Sequence, residues 1–149
     1  PAHLVMVGKC EARYQKRFLG TLGNARSRVH LAGYVPERDL PIYFAAADVF
    51  VLPTLLEGFG IPLVEAMAAG LPVVTTKGGA AGEIVGNAGL VVQPADSDAL
   101  AYALDQVLTN RDLAHQLGQA GQHRARTLFD EHRAAAELET VYYCLFSVS

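Results

Sequence analysis

Pro53-Thr54-Leu55-Leu56-Glu57-Gly58-Phe59-Gly60-Ile61-Pro62-Leu63-Val64-Glu65-Ala66-Met67 reads as the end of a strand, a glycine-bearing loop and the first turns of a helix. The apolar run Val49-Phe50-Val51-Leu52 leads into this stretch and stops at Pro53, which has no N–H to give to a sheet ladder. Pro62 suits a first helical turn, where a missing N–H costs nothing, and Gly70 suits the position just past a helix end, so a helix is predicted over Pro62–Ala69. Val73–Thr76 then reads as the next strand. Two short apolar strands joined by a helix are the repeating unit of a parallel sheet with helices on its faces.

The same alternation runs outward in both directions. Upstream, Leu4–Val7 is a strand ended by Gly8, and a helical stretch follows through Leu22 with Tyr14, Phe18 and Leu22 on one face. Val29–Ala32 is another strand, and after Gly33-Tyr34-Val35-Pro36 a helix is predicted over Leu40–Ala47, with Pro41 in its first turn. Downstream, Glu83–Val85 makes at most a turn of helix and Gly89–Val92 a short strand. Ser97 is the predicted N-cap of a helix through Leu108, and Asp112–Ala125 and Glu131–Phe146 are helical by their apolar spacing, with Leu113 and Leu117 on the first and Leu138, Val141 and Leu145 on the second. The expected fold class is α/β: a Rossmann-like parallel sheet with helices on both faces and a helical C-terminus, in a single domain over residues 1–149.

Composition bounds the function. Of the 149 residues, 51% are hydrophobic and 18% charged, enough apolar surface to form a core. The apolar runs are far shorter than the ~20 residues of a membrane-spanning helix. A net charge of −3 with scattered Lys and Arg offers no stripe for a polyanion, which argues against nucleic acid. Cys10 and Cys144 lie far apart without paired spacing, so no disulfide framework or metal site is indicated and a reduced, cytoplasmic protein is expected. His3, His30, His115, His123 and His132 share no metal-ligand spacing and read as surface residues. The opening Pro1-Ala2-His3 enters a strand directly, as a portion of a longer chain would.

The chemistry is expected in the loop-helix junction. Unpaired N–H groups of a helix's first turn, with the positive end of its dipole, make an anion site that needs no basic side chain. Gly58 and Gly60 allow close approach to the backbone, and because Pro62 has no N–H, the amides expected to be free are those of Phe59, Gly60, Ile61, Leu63 and Val64. Glu57 lies on the loop and Glu65 one turn into the helix, so two carboxylates bracket the amides. Hydroxyls at both ends and phosphate between them is the layout of a nucleotide sugar, and the loop follows the carboxyl end of a strand, where ligands of open parallel sheets bind.

Glu57 and Glu65, within Glu-Gly-Phe-Gly-Ile-Pro-Leu-Val-Glu-Ala-Met-Ala-Ala-Gly-Leu-Pro-Val-Val, resemble the donor-site signature of glycosyltransferase family 4, group 1, in the GT-B fold. Val29–Val35, Phe44–Pro53, Gly78-Gly79, Glu83–Val85 and Asn87–Val92 with Pro94 are also similar to family segments, so the resemblance runs over essentially the whole chain. It implies one GT-B half-domain, the C-terminal donor-binding one, without its first strand-helix unit and without the N-terminal acceptor domain. It implies that Glu57 is catalytic and contacts the donor sugar, that the amides of Phe59 and Gly60 support the sugar hydroxyls, and that Ile61 and Leu63 hold the diphosphate. Glu65 would accept from the ribose, and the backbone at Tyr34 and Val35 would edge the base pocket.

The family transfers a hexosyl group from a UDP-, GDP- or ADP-linked sugar with retention, needs no cofactor and generally no metal, and grips the diphosphate with an Arg and a Lys that lie upstream of residue 1 here. Any peripheral membrane contact would come through the N-terminal acceptor domain. Gly8-Lys9-Cys10 stands where relatives often have Gly-x-Gly. Glu83 is either a donor contact or a carboxylate satisfied at a helix start, and Tyr34 either a base contact or loop packing. The Phe59 side chain and Met67 read as packing, Lys77, Arg26 and Arg28 as solvent-facing, and Tyr142–Ser149 as an apolar surface in need of a cover. The alternatives are a non-catalytic nucleotide-binding or interaction module, or a GT-B epimerase or phosphorylase; a receiver-like domain fits poorly, because the strand ends carry Gly8, Gly33 and Pro53 rather than acids.

Overall fold

The structure is a computed structural model that describes residues 2–146, with the backbone alone at Glu131 and Leu145. The chain divides into two compact units, one up to Tyr43 and the other from Phe44.

In the first unit, β1 (Leu4–Val7) and β2 (Val29–Gly33) pair in parallel, joined by α1 (Ala12–Thr21) and a 3-10 turn over Gly23–Arg28. Gly8 donates to the Gly33 carbonyl at 2.7 Å and closes the strand ends. Residue 14 departs from the expected α1 face. Tyr14 is 53% exposed beneath the Arg13 guanidinium, 4.6 Å from its centroid, whereas Phe18 and Leu22 are half-buried. A phenol can keep its hydroxyl wet and still cover a cation, so it does not need the apolar side of the helix. α2 (Leu40–Ala46) leads across the unit boundary, with Pro41 in its first turn as predicted.

In the second unit, β3 (Phe50–Leu52), β4 (Val73–Thr76) and β5 (Gly89–Val92) form a parallel sheet in the order β3-β4-β5. α3 (Ile61–Ala68) and α4 (Ala81–Val85) are the crossovers, and α5 (Ser97–Thr109), α6 (Arg111–Leu128) and α7 (Glu131–Phe146) follow. β4 is central and buried along its whole length. Successive side chains of a strand face opposite ways. Val73 accordingly enters a core with Leu63, Met67, Ile84 and Val85, and Val74 enters a second core with Ala103, Val107 and Leu117. Helices therefore cover both faces of this sheet, and α6 serves both layers through Leu117 and Ala125.

One helix start differs from expectation. Asp96, not Ser97, caps α5, its carboxylate accepting from Ala99 N–H at 2.9 Å, and Asn110 caps α6 in the same way at Leu113. A carboxylate three residues before the accepting amide competes better than a hydroxyl that is already inside the helix. α4 is also longer than one turn, because the Arg124 guanidinium donates to the carbonyls of Glu83 and Ile84, at 2.8 Å each, and satisfies its C-terminal end. The described side chains of α7 are all exposed, Tyr142 and Phe146 stacked on each other among them. The Leu145 side chain and residues 147–149 of the predicted apolar tail lie outside the described residues.

Candidate functional site

The loop between β3 and α3 is held on one side by the end of β4 and on the other by the start of α3. Thr75 and Thr76 are buried, and their hydroxyls donate to the carbonyls of Leu52, at 2.9 Å, and Thr54. Thr54 N–H donates to the Leu52 carbonyl at 3.0 Å and its hydroxyl to the Leu56 carbonyl at 2.9 Å, which turns the chain sharply after the strand. These contacts use up the polar groups of two buried threonines that would be costly if unpaired.

Glu57 is clamped by the Gly78-Gly79 turn. Its N–H donates to the Gly78 carbonyl at 3.2 Å, and its own carbonyl accepts from Ala80 N–H at 3.0 Å. A Cβ at Gly79 would stand 2.2 Å from the Glu57 carbonyl oxygen, and its φ is +62°. Only glycine allows both the close approach and the backbone angle. The half-buried Glu57 carboxylate accepts from Gly58 N–H at 3.0 Å and so stays on the loop.

Gly60 is the residue before α3 and sits in the left-handed region, with φ 88° and ψ 49° and no side-chain cap over the helix start. Its carbonyl accepts from Leu63 N–H at 2.8 Å and, at a longer 3.4 Å, from Val64 N–H. The five free amides expected from the sequence are thereby reduced. Among the described residues, those of Phe59, Gly60 and Ile61 donate to no protein acceptor, while those of Leu63 and Val64 are engaged in the first turn. The carbonyl of the residue before a helix takes the first intrahelical bonds, so the helix's third and fourth amides, Leu63 and Val64, are engaged once the helix begins at Ile61. The Leu63 side chain is fully buried, whereas Ile61 is 63% exposed. Glu65 is half-buried one turn in, its carbonyl accepting from Ala69 N–H at 2.9 Å.

Phe59 packs edge-on against Phe129, with ring centroids 6.0 Å apart and an interplanar angle of 90°. Neither this contact nor the threonine ties were read from the sequence. Thr75-Thr76 looks like any β-branched strand end, and Phe129 is 70 residues away from Phe59 along the chain. Tyr34 and Val35 belong to the first unit; there Tyr34 is exposed beneath the Lys9 ammonium, 5.3 Å from the ring centroid, and Val35 is half-buried. His3 and His30, distant in sequence, stack with ring nitrogens 3.1 Å apart. Among the described residues no group of three or more His, Cys, Asp or Glu is placed to hold a metal, and no helix is long and apolar enough to cross a membrane.

A strand-loop-helix junction with open amides suits many anions, and the rest of the chain decides among them. The profile of the family described as Glycosyl transferases group 1 matches residues 1–124. The chain belongs to this family. Among its relatives, this glycosyltransferase chain is 43% identical over 101 residues to O-antigen chain mannosyltransferase B of Escherichia coli, covering 66% of this chain and 26% of that protein. It superposes on sucrose-phosphate synthase of Thermosynechococcus elongatus with a TM-score of 0.88 and 32% identity, covering 99% of this chain and 39% of that one. On Anabaena HepE in complex with UDP-glucose the TM-score is 0.82 with 27% identity, over 93% of this chain and 41% of that one. Its fold is thus a Rossmann-like GT-B half-domain, and it spans between about a quarter and two fifths of the length of these proteins.

Proposed function

We propose that this chain is the donor-binding part of a retaining glycosyltransferase that moves a hexosyl group from a nucleoside diphosphate sugar to an acceptor. The observation that carries this reading is the row of open amides at Phe59, Gly60 and Ile61 between Glu57 and Glu65, in a chain of this family. Relatives named for mannosyl transfer and a structural neighbour holding UDP-glucose support the donor class.

Glu57, kept on the loop by Gly58, contacts the donor sugar, and the amides of Phe59 and Gly60 meet its hydroxyls. The open Ile61 amide at the helix start faces the diphosphate, with Leu63, its amide already engaged, contributing only through the helix dipole; Glu65 accepts from the ribose, and Tyr34 with Val35 borders the base. When the sugar leaves the diphosphate, negative charge grows on the phosphate oxygens; fixed amide dipoles and the helix N-terminus stabilise it without reorganising. No cofactor or metal enters this scheme. An acceptor domain and a further strand-helix unit with basic residues, carried by the rest of the parent protein, complete the site, and any peripheral membrane contact belongs to that domain. Free, exposed Cys10 and Cys144 suit the cytoplasm, which we infer as the site of reaction.

Titrating the chain with UDP-, GDP- and ADP-sugars while following the amide signals of Phe59 to Glu65 tests this. Shifts at millimolar donor that disappear in Glu65→Ala are expected, with no turnover by this chain alone. If none of the donors moves these signals, the reading fails. In the full parent, glycosidic product rather than an epimerised sugar nucleotide separates transfer from the other GT-B chemistries.

A further inference from the structure

The loop is tied unevenly along its length. From Pro53 to Glu57 it is held by the two threonine hydroxyls and by the main-chain pairs to Gly78 and Ala80. Beyond Glu57 the ties are local: Gly58 N–H donates to the Glu57 carboxylate, the Gly60 carbonyl accepts from Leu63 and Val64 N–H, and a glycine stands on each side of Phe59. Two flanking glycines leave many backbone conformations open. Among the described residues, the ring contact made by this segment with a distant part of the chain is the edge-to-face pair of Phe59 with Phe129.

Phe129, by contrast, is fixed from both sides. Its N–H donates to the Ala125 carbonyl at 3.0 Å and ends α6, and the next residue, Asp130, accepts from Arg133 N–H at 3.0 Å and starts α7. The Arg133 guanidinium also reaches back to the Thr127 carbonyl, and the Phe129 ring is half-buried against the core of Leu63, Met67 and Val85. A ring anchored in the junction of two helices thus meets the ring of Phe59, which stands between two glycines at the exposed tip of the loop.

We propose that Phe129 is a positioning residue for the donor loop, acting through Phe59 to aim the Phe59 and Gly60 amides. The proposal rests on the donor-binding reading for its consequence but not for its structural content. Amides already aimed at a ligand lose less freedom on binding, so loosening them lowers affinity while the fold survives. An aromatic pair of this geometry corresponds to about a 2–10-fold effect.

The test uses the full chain with Phe129→Leu, which keeps an apolar side chain in the core, and Phe129→Tyr, which keeps the ring edge. In ligand-free Phe129→Leu the amide signals of Gly58 to Ile61 are expected to shift or broaden while those of β4 stay in place, and affinity for UDP-glucose to fall about 2–10-fold. Phe129→Tyr should restore both. Phe59→Leu, at a half-exposed position that cannot unfold the core, should give the same loop signature, and the double variant should be no worse than either single one. Unchanged loop signals in Phe129→Leu, or additive effects in the double variant, would overturn the proposal. If the loop responds to Phe129 but the unmodified chain gives no response to UDP-glucose, the positioning role stands and the donor reading falls.

Discussion

At Gly79 a single hydrogen in place of a methyl group decides the geometry of the site. A methyl there would overlap the Glu57 carbonyl oxygen at 2.2 Å, and the backbone would also have to hold φ +62° against a Cβ. Gly23 has a comparable φ of +49° but nothing within 4 Å. The left-handed conformation alone costs an ordinary residue about 1–2 kcal/mol, and overpacking adds about 1–3 kcal/mol. Gly79→Ala is therefore expected to lose about 3 kcal/mol in denaturant unfolding and Gly23→Ala about 1 kcal/mol, so a smaller loss at Gly79 than at Gly23 would contradict the clamp. The placement of Glu57 on the loop and Glu65 one turn into the helix was legible in the sequence, because it follows from the strand and helix boundaries. Which amides stay open depends on the residue at which the helix begins, since the Gly60 carbonyl takes the first-turn bonds of Leu63 and Val64.

Among the elements, the helix starts separate local preference from observed geometry. Ser97 and Asp96 are both good caps by residue type, and the choice between them lies in which side chain reaches Ala99 N–H. Asp96→Ala is expected to cost about 1 kcal/mol in thermal unfolding and Ser97→Ala nearly nothing; the reverse ranking would restore the cap expected from the sequence. Strands and crossover helices were read within a residue or two, because a buried parallel strand must be apolar on both faces and a crossover helix must carry its stop signals. Tyr14 and the length of α4 were missed for one reason: both are set by a cation, Arg13 on one ring and Arg124 on two carbonyls. The first is a choice between neighbouring rotamers, and the second a contact 40 residues away.

Across the whole molecule, burial is concentrated in one unit. No described residue up to Tyr43 is buried, whereas Val73, Val74, Leu63, Met67 and Val85 are fully enclosed in the second unit. Stability follows enclosed apolar area, and local opening follows its absence. Amide hydrogens of β1 and α1 are expected to exchange at least about 100-fold faster than those of β4, measured on the intact chain by mass spectrometry or NMR; equal protection in both units would contradict this.

Parallel α/β architecture, family and the position of the glycine-bearing loop between Glu57 and Glu65 were determined by the sequence itself, because apolar period, proline and glycine stops and the family signature are local and act through neighbours in the chain. The tertiary structure alone decided which glycines clamp Glu57, which carbonyls the two buried threonines hold and which ring meets Phe59. Each of these depends on groups brought together from distant positions, where contact distances of a few tenths of an ångström determine whether a side chain fits, a hydrogen bond forms or a donor is left free.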